Sequence, residues 1–306
     1  MKLLFYGTPD FALPALEALH RAHEIVAVVT QPDRPAHRGQ RLTAPPVKRA
    51  AIAAGLPVLQ PARLRDPGWA ERLAALGAEV AVVVAFGQIL PQAVLDAPAL
   101  GSINIHASLL PKYRGAAPIQ WAIIRGERET GITTFRMDAG MDTGAILLSR
   151  ATPIGADETA GELFARLAPL GADVILETLA RLDSITPRPQ DDAAATLAPR
   201  LKKTDGVIDW TKRAREIVNL VRGCNAWPGA TTATPAGTLT IWRARAVDAA
   251  PGSPGTLVAA AGSLGISAAD GLLLPVEVQP ENRRPMSWED WLRGARLRGG
   301  ARVGTA

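Results

Sequence analysis

Short apolar runs alternating with stretches of helical spacing constrain this chain more than any other feature. Residues 2–6, 24–30, 80–85, 102–106 and 131–137 read as strands. Residues 11–21, 45–55, 69–76, 119–126 and 161–182 read as helices. The run Val80-Ala81-Val82-Val83-Val84 has no polar position, so it is expected to be covered on both faces, as a parallel strand is. The alternation predicts an α/β fold with a doubly wound, Rossmann-like, parallel-dominated sheet. Ligands of such sheets bind beyond the carboxyl ends of the strands, where Thr30, Phe86 and His106 fall.

The pattern changes after residue 185. Residues 183–199 are rich in Pro, Asp, Ala and Thr, and the stretch 186–203 is expected to link two domains. Beyond it come short extended runs at 229–234, 238–246, 255–260, 264–268 and 272–279, with one helix at 213–222. Five short strands and a helix suit a small OB-like β-barrel over 204–306, following a first domain over 1–185. A chain of 306 residues with 47% hydrophobic content supports two cores of this kind. Its single cysteine, Cys224, excludes an intrachain disulfide and a cysteine-rich zinc site, which fits a reducing cytoplasm. The opening apolar run stops at Gly7 and is expected to be a strand, not a secretory signal. Uncharged apolar stretches all fall short of the ~20 residues a membrane helix needs, so no membrane partner is expected. Nothing in the sequence demands more than a monomer.

The chemistry concentrates in Asn104-Ile105-His106-Ala107-Ser108-Leu109-Leu110-Pro111-Lys112-Tyr113-Arg114-Gly115. Two residues apart on a strand, Asn104 and His106 project from one face. A side-chain amide beside an imidazole is able to hold an oxygen that gains negative charge and to manage a proton. A lone histidine at a strand end is more often structural, so a third group is needed. Met137-Asp138-Ala139-Gly140-Met141-Asp142-Thr143-Gly144 supplies a carboxylate in a glycine-flanked loop. Asp142 and Asp138 both qualify, and either is alternatively an Asx-turn carboxylate; spacing does not choose between them. A carboxylate bonded to the imidazole would fix its tautomer and favour its charged form. Together these groups suggest transfer of a carbonyl-containing group.

Other chemistries lack their motifs. The histidines are His20, His23, His37 and His106, with no H-E-x-x-H pair, so no metal site is expected. The first turn, Gly7-Thr8-Pro9-Asp10-Phe11-Ala12, holds neither a dinucleotide fingerprint nor a Walker lysine. There is no G-x-S-x-G nucleophile elbow. The charge is uneven: residues 1–200 carry 20 basic and 20 acidic side chains, so the whole net charge of +5 lies in residues 201–306. Between 34 and 49 there are five basic residues and no acidic one. Such clusters are either ordinary solvated surface or contacts for a polyanion. Five of the seven tryptophans also lie after residue 200, where packing is a commoner use than base stacking.

These residues carry a resemblance. N-I-H-A-S-L-L-P-K-Y-R-G-A-A-P-I-Q-W-A-I with M-D-A-G-M-D-T-G-A-I-L resembles the signature of the folate-dependent formyltransferase family. Gly7-Thr8-Pro9-Asp10-Phe11-Ala12, Gln31-Pro32-Asp33-Arg34-Pro35-Ala36-His37-Arg38-Gly39 and Val84-Ala85-Phe86-Gly87-Gln88-Ile89-Leu90-Pro91 are similar to its members that act on tRNA. Leu201-Lys202-Lys203, Ile208-Asp209-Trp210 and Asn225-Ala226-Trp227-Pro228 match the start of their C-terminal domain, so the resemblance covers nearly the whole chain. The departures are Phe86 for an expected tyrosine, His37 for a glycine, Ala226 for a proline, and Gly229-Ala230 where bulkier residues are common. They bear on local packing rather than on chemistry.

The resemblance implies a cytoplasmic enzyme of translation initiation, with 10-formyltetrahydrofolate as donor co-substrate and the α-amino group of methionyl initiator tRNA as acceptor. It implies Asn104, His106 and Asp142 as catalytic residues, and folate contacts at Ser108, Leu109, Leu110 and Pro111 and at Phe86, Gly87, Gln88, Ile89 and Leu90. It implies tRNA contacts at Arg34, Arg38 and Arg41. Two alternatives are an enzyme that formylates an amino-sugar nucleotide or other small amine, and a non-catalytic RNA-binding protein on this scaffold. The basic loop and basic C-terminal region argue against the first, and the intact Asn104, His106 and Asp142 against the second.

Overall fold

A computed structural model describes residues 1–36, 41–260 and 262–304; the side chains of Ala36 and Arg41 are not described. The chain packs as two compact units. The first contains residues 1–118, 129–153 and 164–199, and the second contains 119–128, 154–163 and 200–306.

The elements of the first half follow the expected alternation. They are β1 (Lys2–Gly7), α1 (Leu13–Ala22), β2 (Glu24–Val29), β3 (Arg34–Ala36), β4 (Arg41–Thr43), α2 (Pro46–Ala53), β5 (Val58–Leu59), α3 (Trp69–Ala74), β6 (Val80–Val84), α4 (Gln92–Leu95), β7 (Ser102–His106), α5 (Pro118–Ile124), β8 (Glu129–Arg136), β9 (Ile146–Pro153) and α6 (Ala160–Ala180). Seven strands form one sheet in the order β5-β2-β1-β6-β7-β8-β9. The pairings β5-β2, β2-β1, β1-β6 and β6-β7 are parallel, whereas β7-β8 and β8-β9 are antiparallel. The chain winds outward in both directions from β1 and β6, and the antiparallel β8-β9 hairpin closes one edge.

Burial explains the parallel part. β6 is buried at every position, and β1 at every position after Lys2. Leu4, Tyr6, Ala27, Val29, Ala81 and Val83 pack on one face with Leu73, Phe86, Leu90, Val94 and Leu95. The Tyr6 hydroxyl is buried there with no hydrogen-bond partner among the described residues, and burial pushes its pKa up.

Residues 186–199, read from composition as linking chain, pack within the first unit. Arg188 exchanges backbone hydrogen bonds of 2.8 Å with Ile146 in both directions. The Arg114 amide donates to the Thr196 carbonyl at 2.8 Å, and the Ala198 amide to the Arg114 carbonyl at 2.7 Å. A proline-rich composition records the absence of regular structure, not the absence of partners.

The second unit holds α7 (Ala214–Gly223), β10 (Ala230–Thr234), β11 (Gly237–Val247), β12 (Leu257–Ala260), β13 (Ser263–Ser267), β14 (Leu272–Pro280), β15 (Met286–Ser287) and α8 (Trp288–Ala295). Its sheet is antiparallel, in the order β10-β11-β14-β13-β12 with β15 on β14. Trp210, Trp288 and Trp291 are buried in its core, the last two stacked at 5.0 Å, while Trp227 is 51% exposed. Packing, as expected, takes most of the tryptophans. Arg222 is also buried; its guanidinium donates to the carbonyls of Glu158 and Gly155 and to the Asn219 side chain, all within this unit.

Cys224 is fully buried in the second unit, and burial pushes its thiol up to about 12. Since the thiolate is the reactive form, we expect the native protein at pH 8 to react with a thiol reagent at least ~100-fold more slowly than the guanidinium-unfolded chain. Stoichiometric labelling of the native protein within minutes would contradict this placement.

Candidate active site

β7 delivers Asn104 and His106 to the carboxyl edge of the sheet, beside β6 on one side and β8 on the other. In register, His106 lies opposite Thr133, and the Thr133 hydroxyl fixes the loop that follows β7. It donates to the Ser108 carbonyl at 2.7 Å and accepts from the Leu110 amide at 3.2 Å. The Ser108 hydroxyl turns back to the Lys112 carbonyl at 2.6 Å. This loop then brings Tyr113, at φ +63°, under the imidazole.

His106 is held at both ring nitrogens. Nε2 lies 2.9 Å from the Tyr113 carbonyl, and Nδ1 lies 3.7 Å from Oδ2 of Asp142. A carbonyl only accepts, so Nε2 carries its proton and Nδ1 is the nitrogen left to take one up or give one up. The expectation that a carboxylate fixes the tautomer is thereby corrected: a main-chain carbonyl does so. At 3.7 Å the carboxylate stands in ion-pair range, too far for a direct hydrogen bond. His106 is buried, and its ring packs edge-on against Phe135 at 6.5 Å.

The geometry separates the two aspartates. Asp138 is exposed, and its Oδ1 accepts from the Gly140 amide at 3.0 Å and the Thr143 hydroxyl at 2.7 Å, so it caps its own loop. Asp142, at φ +57°, turns inward, and its Oδ2 accepts from the Gly115 amide at 2.8 Å. Two glycines permit this. Gly115 has φ +123° and a Cβ there would press on the Ala198 carbonyl. At Gly144 a Cβ would run into the Arg136 carbonyl. The Asn104 amide is partly open, and among the described residues its Nδ2 makes only a 4.0 Å contact with Met137 Sδ, which leaves the donor available there.

The other expected site residues divide by environment. Phe86 and Leu90 are buried, and Phe86 meets Tyr6 edge-on at 5.4 Å. The Phe86 carbonyl accepts from Thr8 and Gln31. The Gln88 side chain ties down residues 61–64 through the Leu64 amide and the Pro61 carbonyl. Gly87 has φ +82°, and Ile89 is 89% exposed. Arg34 lies on β3 and donates to Gln31 Oε1 at 2.5 Å; Arg41 begins β4. Arg38 lies outside the described residues. Among the described residues no group of His, Cys, Asp and Glu converges as a metal site.

With an amide, an imidazole and a carboxylate placed in this way, sequence comparison decides the family. The formyl transferase model matches residues 1–179, and the formyl transferase C-terminal domain model matches residues 200–296. The chain belongs to the formyl transferase family. Within it, the chain is 52% identical to the methionyl-tRNA formyltransferase of Solibacter usitatus over 99% of both chains. It is 50% identical to the protein of the same name from Geobacter metallireducens, again over 99% of both. Solved formyl transferase structures share the fold at lower identity. WlaRD, a sugar 3N-formyl transferase, matches with TM-score 0.66 and 19% identity over 93% of this chain and 99% of its own. The N-formyltransferase of Helicobacter canadensis matches with TM-score 0.67 and 20% identity, over 90% of this chain and 98% of its own.

Tyr113, Arg114 and Gln190 contact these residues and were not singled out from the sequence: the Tyr113 carbonyl meets His106, Gln190 Nε2 donates to the Asp142 carbonyl, and Arg114 donates to Gln190. Tyr113 acts through a main-chain carbonyl, which leaves no trace in residue type. Arg114 is visible in the Tyr113-Arg114-Gly115 run, but Gln190 lies in the stretch read as linker.

Proposed function

We propose that this chain transfers the formyl group of 10-formyltetrahydrofolate to the α-amino group of methionine on initiator tRNA. The observation that carries the reading is end-to-end identity near 50% with proteins named methionyl-tRNA formyltransferase, in a chain that keeps Asn104, His106 and Asp142. The neutral amine attacks the formyl carbon and the formyl oxygen becomes an oxyanion. Asn104 Nδ2 donates to it, and His106 Nδ1 does so when protonated. One such donor is worth about 3 kcal/mol of barrier. The attacking nitrogen loses a proton to the Asp142–His106 pair, and the departing folate nitrogen gains one as the carbon–nitrogen bond breaks. The enzyme forms no covalent bond. The loop from Phe86 to Leu90 and the turn from Ser108 to Pro111 supply apolar cover for the folate ring, with main-chain groups to meet its polar edge.

The acceptor reading rests on the basic loop around Arg34, Arg38 and Arg41 and on the basic excess after residue 200. Lys48 in the same segment is paired with Asp33 at 2.8 Å, which partly offsets its charge. Phosphate contacts of this kind set affinity and position. Rates with methionyl initiator tRNA, elongator tRNA and an amino-sugar nucleotide test the acceptor: formylation of the initiator alone is expected, and preference for the sugar would overturn it. For Arg38→Ala, kcat/KM for tRNA should drop about tenfold while the folate KM holds, and tRNA binding should weaken steeply with salt. A flat salt response would remove the basic surface from the account.

A further inference from the structure

Gln190 uses every hydrogen-bonding direction of its side chain on this site. Its Nε2 donates to the carbonyls of Asp142 and Gly144, each at 2.8 Å. Its Oε1 accepts from Arg114 Nε at 3.0 Å and Nη2 at 2.8 Å. A guanidinium only donates, so the amide oxygen must face Arg114 and the amino group must face the loop. The Arg114 side chain is only 8% exposed, and its Nη2 also reaches Asp192 at 2.7 Å. The bracketed loop needs such support. Asp142 sits in the left-handed region, which is disfavoured for a residue with a Cβ and persists only where the surroundings over-determine it. The Gly115 amide, next along the chain from Arg114, grips the Asp142 carboxylate itself.

We infer that Gln190, oriented by Arg114, is a positioning residue for catalysis: it clamps the main chain on both sides of Thr143 and so sets where the Asp142 carboxylate stands relative to His106 Nδ1. This rests on the proposed role of Asp142. Gln190 touches no reacting atom, so its effect must pass through that carboxylate. Without the clamp two carbonyls lose their donor and the left-handed residue is free to relax. A displacement of 1 Å in a reacting geometry is enough for a rate loss on the order of 100-fold.

The test compares Gln190→Ala, Gln190→Met, Asp142→Asn and the double variant Asp142→Asn with Gln190→Ala, with Asp192→Asn as a control. Methionine fills the glutamine's volume without its amide. We expect both Gln190 variants to lose about 10–100-fold in kcat, with KM for folate and for tRNA within about threefold of the parent. In the Asp142→Asn background, Gln190→Ala should cost less than about twofold more, because the carboxylate it serves is gone. Asp192, whose side chain is 82% exposed, should be dispensable within about twofold. Losses below about threefold in both Gln190 variants, or losses that multiply in the double variant, would overturn the inference. So would an activity loss in both that merely follows the folded fraction seen in thermal melts. Wild-type activity of Asp142→Asn alone would instead strike the reading of Asp142 itself, and the single variant identifies that case.

Discussion

Asn104→Ala is expected to lower kcat by roughly 10²–10³-fold while the dissociation constant for a non-reactive folate analogue changes by less than about threefold. Asn104 stands on β7 between a β6 neighbour, Val83, and a β8 neighbour, Phe135, so truncation leaves the strand and its pairing intact. The amide's contact with Met137 is long, which means little packing is lost. On the proposed mechanism, what disappears is a donor to charge that exists only in the tetrahedral adduct. An interaction made only in the transition state lowers kcat and kcat/KM together and spares ground-state affinity. Steady-state rates and equilibrium titration of the analogue check both halves. A turnover loss under tenfold would remove the oxyanion role from Asn104.

Asp142→Asn should reduce kcat by about 100-fold or more. The substitution keeps the shape, and an asparagine oxygen still accepts from the Gly115 amide. It removes the negative charge that faces His106 Nδ1 and, on the proposed mechanism, the group that receives a proton during transfer. Because the Tyr113 carbonyl fixes the imidazole tautomer, the loss should reflect charge and proton transfer rather than a reoriented ring. Asp138→Asn is the matched control. Its carboxylate caps an exposed loop, so activity within about threefold of the parent is expected there. If the two results were exchanged, the chemical role would move to Asp138.

The parallel part of the fold was legible because strands buried on both faces must be almost wholly apolar, as β6 is and as β1 is after Lys2. Strands β10 to β14 of the second unit were legible through their glycine and proline punctuation, whereas the two-residue β15 was not. Nor was β9: after the buried Ile146 and Leu147 its positions are only half-buried or exposed along an edge, and Ser149, Arg150 and Thr152 interrupt any apolar run. The three-residue strands β3 and β4 are too short to carry a period, and the two buried tryptophans of α8 lie among acidic and basic residues. At the site, residue type pointed to Asn104, His106 and an aspartate. It could not choose between Asp138 and Asp142, since that depends on which one the β8-β9 connection turns inward. Nor could it find Gln190, whose partners lie 46 to 76 residues away in the chain.

The make-up of the second unit bears on how such proteins can be recombined. Residues 119–128 and 154–163 pack with residues 200–306, and the buried Arg222 takes its carbonyl acceptors from Gly155 and Glu158. A chimera spliced once near residue 200 would pack its new C-terminal half against versions of both inserts taken from the other parent, whose side chains do not match it. Inheritance by shuffling is therefore disfavoured at that seam, and a graft from a relative should carry three pieces of gene rather than one.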